Sequence, residues 1–127
     1  CAGADTSTTR TLTAETRHNI GRLELRAMKP TTVRVNAARG PLIDEAALAE
    51  ALHEGRIAGA ALDVFDGEPA IDPRLLAAPR LVLAPHLGSA TTEARTQMAQ
   101  LCADGVLAVL TGKRPANLVN REVVPRG

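Results

Sequence analysis

The sequence predicts an α/β fold in which helices flank a parallel sheet. Apolar runs at 33–38, 57–64 and 81–84 each stop at charged or imidazole side chains, which indicates successive strands. The residues between the first two runs have the spacing and the capping residues of an amphipathic helix. Strand, helix and strand with short connections form a βαβ unit, so the strands should be parallel and the crossover right-handed.

Composition indicates one globular domain and excludes nucleic-acid binding. The chain has 127 residues, of which 45% are hydrophobic and 23% charged, and its net charge is +1. Lysines and arginines are interspersed with acids, so no nucleic-acid-binding surface is expected. With one Phe and no Trp or Tyr, the core is expected to consist of Ala, Leu and Val.

Neither a membrane segment nor a metal site is expected from the sequence. Charges interrupt every apolar stretch before it reaches spanning length, and no basic, then apolar leader opens the chain. Cys1 and Cys102 form no disulfide framework or metal-ligand cluster, which favours a reduced, cytoplasmic setting. Because the first residue is not Met, we expect a processed chain or a segment of a longer product.

The N-terminal part predicts one weak strand and two short helical pieces. Residues 1–11 are polar and rich in Thr, so they form at best an edge strand. A helical turn is predicted over 14–18 and a short helix over 21–28, which Lys29–Pro30 ends because the residue before a proline avoids the helical region. In that helix Leu23, Ala27 and Met28 are predicted to lie on one side.

The central part predicts a capped helix and a buried strand. After the first apolar run, Asp44 is a suitable N-cap for a helix over 45–54, and Gly55 ends it. A single helical turn over 74–77 leads to the strand at 81–84. Because this strand is almost entirely apolar, we expect it to lie centrally in the sheet with both faces covered.

The C-terminal part predicts one long helix and a tail. Thr91 or Thr92 caps a helix over 93–110, in which apolar residues recur at three- and four-residue spacings. Gly112 ends the helix, and 113–127 is predicted to be extended.

Charged or imidazole side chains follow all three predicted strands of the apolar pattern. Arg39 follows the first strand, Asp63 and Glu68 follow the second, and His86 follows the third. Ligands of open α/β sheets bind outside the carboxyl ends of the strands, so these side chains are expected to meet in one site. Taken singly, each has a structural alternative: a packing histidine, an exposed turn arginine and a solvated acidic loop.

A histidine, a carboxylate and an arginine in one site have a coherent chemical use. The carboxylate favours the charged imidazolium and fixes its tautomer, and the imidazole can then give or take a proton. The guanidinium can bind a carboxylate through two parallel hydrogen bonds. The combination suits a 2-oxo or 2-hydroxy acid.

Six ordered segments of the sequence resemble the D-isomer-specific 2-hydroxyacid dehydrogenase family. They match the second half of its NAD-binding domain, which implies a partial Rossmann-like sheet that lacks the first βαβ half. By this resemblance residues 1–120 form that half-domain and 121–127 a tail. The segments are L-T-A-E-T-R-H (12–18), M-K-P (28–30), V-N-A-A-R-G-P-L-I-D (35–44), G-A-A-L-D-V-F-D-G-E-P (59–69), P-H-L-G-S-A-T (85–91) and P-A-N-L-V-N (115–120).

The resemblance implies a catalytic role for three residues. Arg39 of N-x-x-R-G would bind the substrate carboxylate and carbonyl, and Glu68 would pair with His86, the general acid and base. Hydride would pass from the reduced nicotinamide to the keto carbon while His86 protonates the developing alkoxide. Since reduction needs a charged His86 and oxidation a neutral one, we expect opposite pH trends in the two directions.

The resemblance also implies NAD or NADP as the cofactor. Asp63 is expected beside the nicotinamide carboxamide, and Ala38 and Gly88 would offer backbone contacts to the same ring. The residues expected to contact the cofactor are therefore Ala38, Arg39, Asp63, His86 and Gly88. F-D-G-E-P and I-D-P-R-L-L-A resemble glyoxylate or hydroxypyruvate reductases more than phosphoglycerate dehydrogenases, and the parent enzyme is expected to be a homodimer.

The sequence lacks the G-x-G-x-x-G motif that binds the cofactor pyrophosphate in this family. We therefore expect the 127-residue chain to be a fragment of the enzyme that neither binds NADH tightly nor turns over alone. One alternative is a non-catalytic interaction or dimerisation module with helix 93–110 as its contact surface. Another is a generic nucleotide-binding α/β domain.

Overall fold

The computed structural model describes residues 6–8, 11–120 and 122. They divide into two compact units, Cys1–Gly88 and Ser89–Gly127. The first unit contains the sheet and the candidate site, and the second contains one long helix.

The first unit is an all-parallel sheet with short helices. The strands lie in the order β1-β2-β3-β4, and Val35 pairs with Ser7 on one side and Ala61 on the other. This confirms the α/β class and the βαβ arrangement, and it confirms a strand at 6–8 as an edge strand. The elements are β1 (Thr6–Thr8), α1 (Arg22–Ala27), β2 (Val33–Asn36), a 3-10 helix (Gly40–Leu42), α2 (Glu45–His53), β3 (Gly59–Leu62), α3 (Pro73–Leu76) and β4 (Leu81–Leu83).

The predicted central position of the strand at 81–84 is wrong. In the described residues β4 pairs with β3 alone, so it lies at an edge of the sheet. Its central residue, Val82, has 66% of its surface exposed. Apolar composition measures how much area a strand is able to bury, whereas its neighbours decide how much it does bury.

The apolar side predicted for α1 is not the side that the helix buries. Leu23 is 75% exposed, and Leu25 is the buried residue of this helix at 1%. Met28, three residues later, is half-buried against the core, while Ala27 is exposed. The helix is only six residues long, so its contact with α2 determines the orientation of its apolar residues more than their spacing does.

The helix α2 begins and ends at the capping residues predicted from the sequence. Asp44 accepts a hydrogen bond from the backbone N–H of Ala47 at 3.0 Å, and Gly55 has the left-handed φ of 67° that suits a residue just after a helix. Buried Ala and Leu dominate the core, as predicted, Val64 is the buried valine, and Ile43, Ile57 and Phe65 are included as well. The core residues with at most 2% exposure are Leu25, Leu42, Ile43, Leu48, Ala49, Leu52, Ile57, Leu62, Val64 and Leu75.

The second unit is built on α4, Thr92–Leu110. Thr91 caps it by accepting from the Ala94 N–H at 3.1 Å, and Gly112 follows with a φ of 70°, so both predicted ends are confirmed. No residue of α4 is buried. An open groove of about 860 Å³ lies between this helix and residues 115–120. None of the helices in the described ranges is both long and apolar enough to cross a membrane.

Candidate active site

The candidate site lies where three neighbouring strands end. Arg39 follows β2, Asp63 and Glu68 follow β3, and His86 follows β4. Because these strands are adjacent and parallel, their carboxyl ends share one edge of the sheet. The structure thus places the four side chains singled out in the sequence at the same edge.

His86 and Glu68 contact each other directly. The Nδ1 atom of His86 lies 3.3 Å from Oε2 of Glu68. The other carboxylate oxygen, Oε1, accepts the backbone N–H of Phe65 at 2.9 Å. The Phe65 N–H and, next, the hydrogen bond with His86 hold the pKa of the Glu68 carboxyl below its usual range, so Glu68 is ionised at neutral pH. A small cavity of about 250 Å³ borders this pair.

The turn that carries His86 is held by Asp63. His86 has a φ of 56°, a left-handed conformation that costs a residue with a Cβ about 1–2 kcal/mol. The Asp63 carboxylate accepts the next two backbone N–H groups, from Leu87 to Oδ1 and from Gly88 to Oδ2, each at 2.6 Å. A Cβ on Gly88 would lie 3.0 Å from Oδ2, so a glycine lets the carboxylate approach this closely.

Arg39 is exposed and does not reach the other catalytic candidates. Its Nη1 donates to the carbonyl of Ala38 at 2.7 Å, and no ion pair joins it to Glu68 in the described part of the chain. The side chain of Asn36, which is 1% exposed, forms hydrogen bonds with the turn that carries Arg39. Asn36 donates from Nδ2 to the Arg39 carbonyl at 2.9 Å and accepts the Ala38 N–H at 3.2 Å.

We expect Asn36→Ala to lower the free energy of unfolding by about 1–3 kcal/mol, because it leaves an N–H and a carbonyl of the turn without their buried partner. Urea unfolding measures the loss. Asn19→Ala is the matched control, since Asn19 is exposed and its truncation should change stability by less than about 0.5 kcal/mol. Equal losses in the two variants would contradict the role given to Asn36.

Asp66 connects the acidic loop after β3 to other parts of the first unit. The backbone N–H of Asp66 donates to Oε1 of Glu45 at 2.6 Å. The Oδ2 atom of Asp66 pairs with Arg17 at 2.8 Å and His18 at 3.2 Å. Glu45 is 8% exposed, and burial raises the pKa of its carboxyl. The loop that presents Glu68 is therefore attached to the start of α2 and to the 14–18 turn.

The donor and acceptor groups of the site fit a nicotinamide carboxamide. The carboxylate oxygens of Asp63 each accept one hydrogen bond and retain capacity for another, and the glycine at position 88 lets the turn approach them closely. The Ala37 carbonyl lies 3.9 Å from the place a Gly88 Cβ would take. Among the described residues, no group of three or more His, Cys, Asp and Glu side chains is placed to hold a metal ion.

The sequence interpretation missed two contributors to this site, Asn36 and Glu45. Asn36 stands in the N-x-x-R-G segment, and an asparagine three residues before a turn arginine is a signal for side-chain bonds to that turn. Glu45 carries no such signal, because its partner Asp66 is remote in sequence.

An open parallel sheet that carries a His–Glu pair and an arginine at its carboxyl edge has the arrangement of a ligand-binding α/β domain. Comparison with known proteins identifies the group. The family model of the D-isomer specific 2-hydroxyacid dehydrogenase NAD binding domain matches residues 6–88, and the chain belongs to this family. The resemblance seen in the sequence segments is thereby confirmed.

Individual relatives are similar over most of this chain. It is 52% identical over 113 residues to the glyoxylate reductase of Thermococcus gammatolerans. This match covers 89% of this chain and 34% of that relative. A glyoxylate reductase structure from Paecilomyes thermophila has a TM-score of 0.76 and 40% identity, over 92% of this chain and 36% of that one. A Sinorhizobium meliloti NADPH-dependent glyoxylate/hydroxypyruvate reductase, solved with NADP and malonate, has a TM-score of 0.76 and 38% identity, over 91% and 36%. The chain spans about a third of the length of these relatives.

Proposed function

We propose that this chain supplies the catalytic half of the cofactor domain of an NAD(P)-dependent D-2-hydroxyacid dehydrogenase. Its substrate is a small 2-oxo acid such as glyoxylate or hydroxypyruvate. The observation that carries the proposal is the contact between His86 Nδ1 and Glu68 Oε2 at the carboxyl edge of the sheet. The names of the relatives, glyoxylate reductase and glyoxylate/hydroxypyruvate reductase, support the substrate class. In this proposal residues 1–120 form the half-domain and 121–127 a tail.

In this proposal His86, Glu68 and Arg39 each have a separate role in the reaction. Because Nδ1 of His86 faces Glu68, its Nε2 is the atom that gives a proton to the developing alkoxide of the substrate. The ionised Glu68 carboxylate accepts the hydrogen bond from Nδ1 and so orients the imidazole. Arg39 binds the substrate carboxylate, for which its exposed guanidinium turns from the Ala38 carbonyl.

Asp63, with the backbone of Ala38 and Gly88, would hold the carboxamide of the cofactor. When bound, the reduced nicotinamide supplies the hydride that the keto carbon accepts. Arg39 and His86 would also border the ring. Tight cofactor binding by the 127-residue chain is not expected, since the sequence holds no glycine-rich pyrophosphate loop.

A chimeric enzyme tests the proposal. The matched segment of this chain replaces the corresponding third of the T. gammatolerans glyoxylate reductase, and glyoxylate reduction is followed by loss of NADH or NADPH absorbance. Activity is expected, and its rate should fall as pH rises, because reduction consumes the proton of His86. Oxidation of glycolate should rise with pH over the same range. A folded but inactive chimera, or parallel pH profiles, would refute the proposal.

Arg39→Lys in this chimera should lower kcat/KM for glyoxylate by about 10- to 100-fold, because an ammonium replaces two parallel hydrogen bonds with one contact. The KM for the reduced cofactor should change little. Arg56→Lys, at an exposed arginine that pairs with Glu54, is the control and should leave both parameters unchanged. A rise in the cofactor KM alone would assign Arg39 to the cofactor rather than the substrate.

A second function, an interaction or dimerisation module, is favoured by one observation. The long helix α4 has no buried residue, and its apolar side chains Leu107 and Leu110 are 58% and 77% exposed. Sedimentation of the chain, alone and with an intact relative, tests it. If the chain sediments as a monomer both alone and with the relative, this function is excluded.

A further inference from the structure

Asp63 makes two contacts that its expected role toward the cofactor does not require. Its Oδ1 accepts the N–H of Leu87 and its Oδ2 the N–H of Gly88, each at 2.6 Å. The two N–H groups are consecutive, so one carboxylate engages both backbone donors of the turn after His86. Hydrogen bonds to an ionised acceptor are stronger than those between neutral groups.

The residue presented by this turn has a backbone conformation that its own chemistry disfavours. His86 has a φ of 56°, in the left-handed region that a side chain with a Cβ rarely adopts. Such conformations persist where the surrounding structure holds them. The contact of His86 with Glu68, at 3.3 Å between side chains that are 52% and 39% exposed, is too weakly held to fix a backbone.

Gly88 gives independent support for this arrangement. A Cβ at this position would lie 3.0 Å from Asp63 Oδ2, closer than most real contacts of a Cβ, so a side chain there would displace the carboxylate. The glycine and the aspartate therefore fit each other, although 25 positions separate them in the sequence.

We propose that Asp63 is a positioning residue for His86. Its carboxylate holds the turn over 86–88 in the left-handed conformation, which keeps Nδ1 of the imidazole against Glu68 and leaves Nε2 for the substrate. This rests on the proposed function, since that function assigns the proton transfer to His86. The remaining acceptor capacity of the carboxylate is compatible with a cofactor carboxamide.

Amide hydrogen exchange in the ¹⁵N-labelled 127-residue chain tests the proposal. In Asp63→Asn, an amide group replaces one acceptor oxygen with a donor, so one of the two bonds is lost. Exchange at Leu87 and Gly88 should accelerate by about tenfold or more, and the ring signals of His86 should shift. The N–H of Ala84, which donates to the Leu62 carbonyl at 2.9 Å, should keep its protection.

Asp44→Asn is the matched control. Asp44 also accepts a backbone N–H, that of Ala47, but at the start of α2. Asparagine keeps the one acceptor oxygen that this cap needs, so protection at Ala47, exchange at Leu87 and Gly88 and the His86 ring signals should all be unchanged.

Unchanged exchange and ring signals in D63N would overturn the proposal. If D63N accelerates every amide alike, Asp63→Glu decides, because it retains two acceptor oxygens on a longer side chain. Restored protection at Leu87 and Gly88 supports positioning, and uniform acceleration in this variant also overturns it.

The chimera separates this proposal from the proposed function. There, D63N should lower kcat by a larger factor than it raises the KM for the reduced cofactor, and a rise in that KM alone would overturn the positioning role. An inactive chimera with Asp63 intact would contradict the proposed function, while the exchange result would still stand or fall by itself.

Discussion

His86→Gln should lower kcat for glyoxylate reduction in the chimera by about 10²- to 10⁴-fold, the range of a lost general acid. Glutamine keeps a polar side chain of similar reach, but its amide cannot give up a proton at neutral pH. Binding should be nearly unaffected, so the KM values for glyoxylate and cofactor should change by a much smaller factor. Steady-state rates with each substrate varied in turn measure both effects.

His53→Gln is the matched control for this prediction. His53 ends α2, where its Nδ1 contacts the Ala49 carbonyl at 2.9 Å, and it takes no part in the proposed reaction. Its kcat should equal that of the unaltered chimera. If H86Q retained full kcat, the proton would come from elsewhere and the assignment of His86 would be wrong.

Gly40→Ala should lower the free energy of unfolding by about 3 kcal/mol or more, which is a large fraction of the stability of an ordinary domain. A Cβ on Gly40 would fall within 3.0 Å of the backbone of Phe65 and Asp66, and backbone atoms have little freedom to yield. The 3-10 helix and the acidic loop would have to separate. Urea or thermal unfolding followed by circular dichroism measures the loss.

Gly105→Ala is the control for Gly40→Ala. Nothing lies within 4 Å of a Cβ built on Gly105, which is inside α4, and alanine is the better helix former there. This variant should therefore be as stable as the parent or more stable. Equal effects of the two substitutions would show that the close approach at Gly40 does not constrain the fold.

The features predicted correctly from sequence depend on neighbours along the chain. Asp44 and Thr91 cap helices because their side chains reach an N–H three residues later, and Gly55 and Gly112 follow the helix ends with positive φ. Parallel strands followed from the βαβ pattern in the same way. The family resemblance then supplied residue roles that these local patterns do not contain.

The features that sequence did not predict depend on contacts between distant residues. The position of β4 at an edge is decided by which strands pair with it, and Leu25 is buried because α1 contacts α2. The hydrogen bond that Asp63 accepts from the Gly88 N–H connects two positions that no periodic sequence pattern links. Arg39 lies at the same edge as His86, as expected, whereas its hydrogen bond to the adjacent Ala38 is a local contact that the sequence did not predict.

The order of the strands across the sheet is also their order along the chain. Among the described residues, each strand therefore pairs with the strand that is synthesised just before it. These four strands can add one at a time in chain order, and the loss of entropy on closing each connection stays small. His86 follows β4, so among the described strands it can meet Glu68 only once β4 has paired with β3.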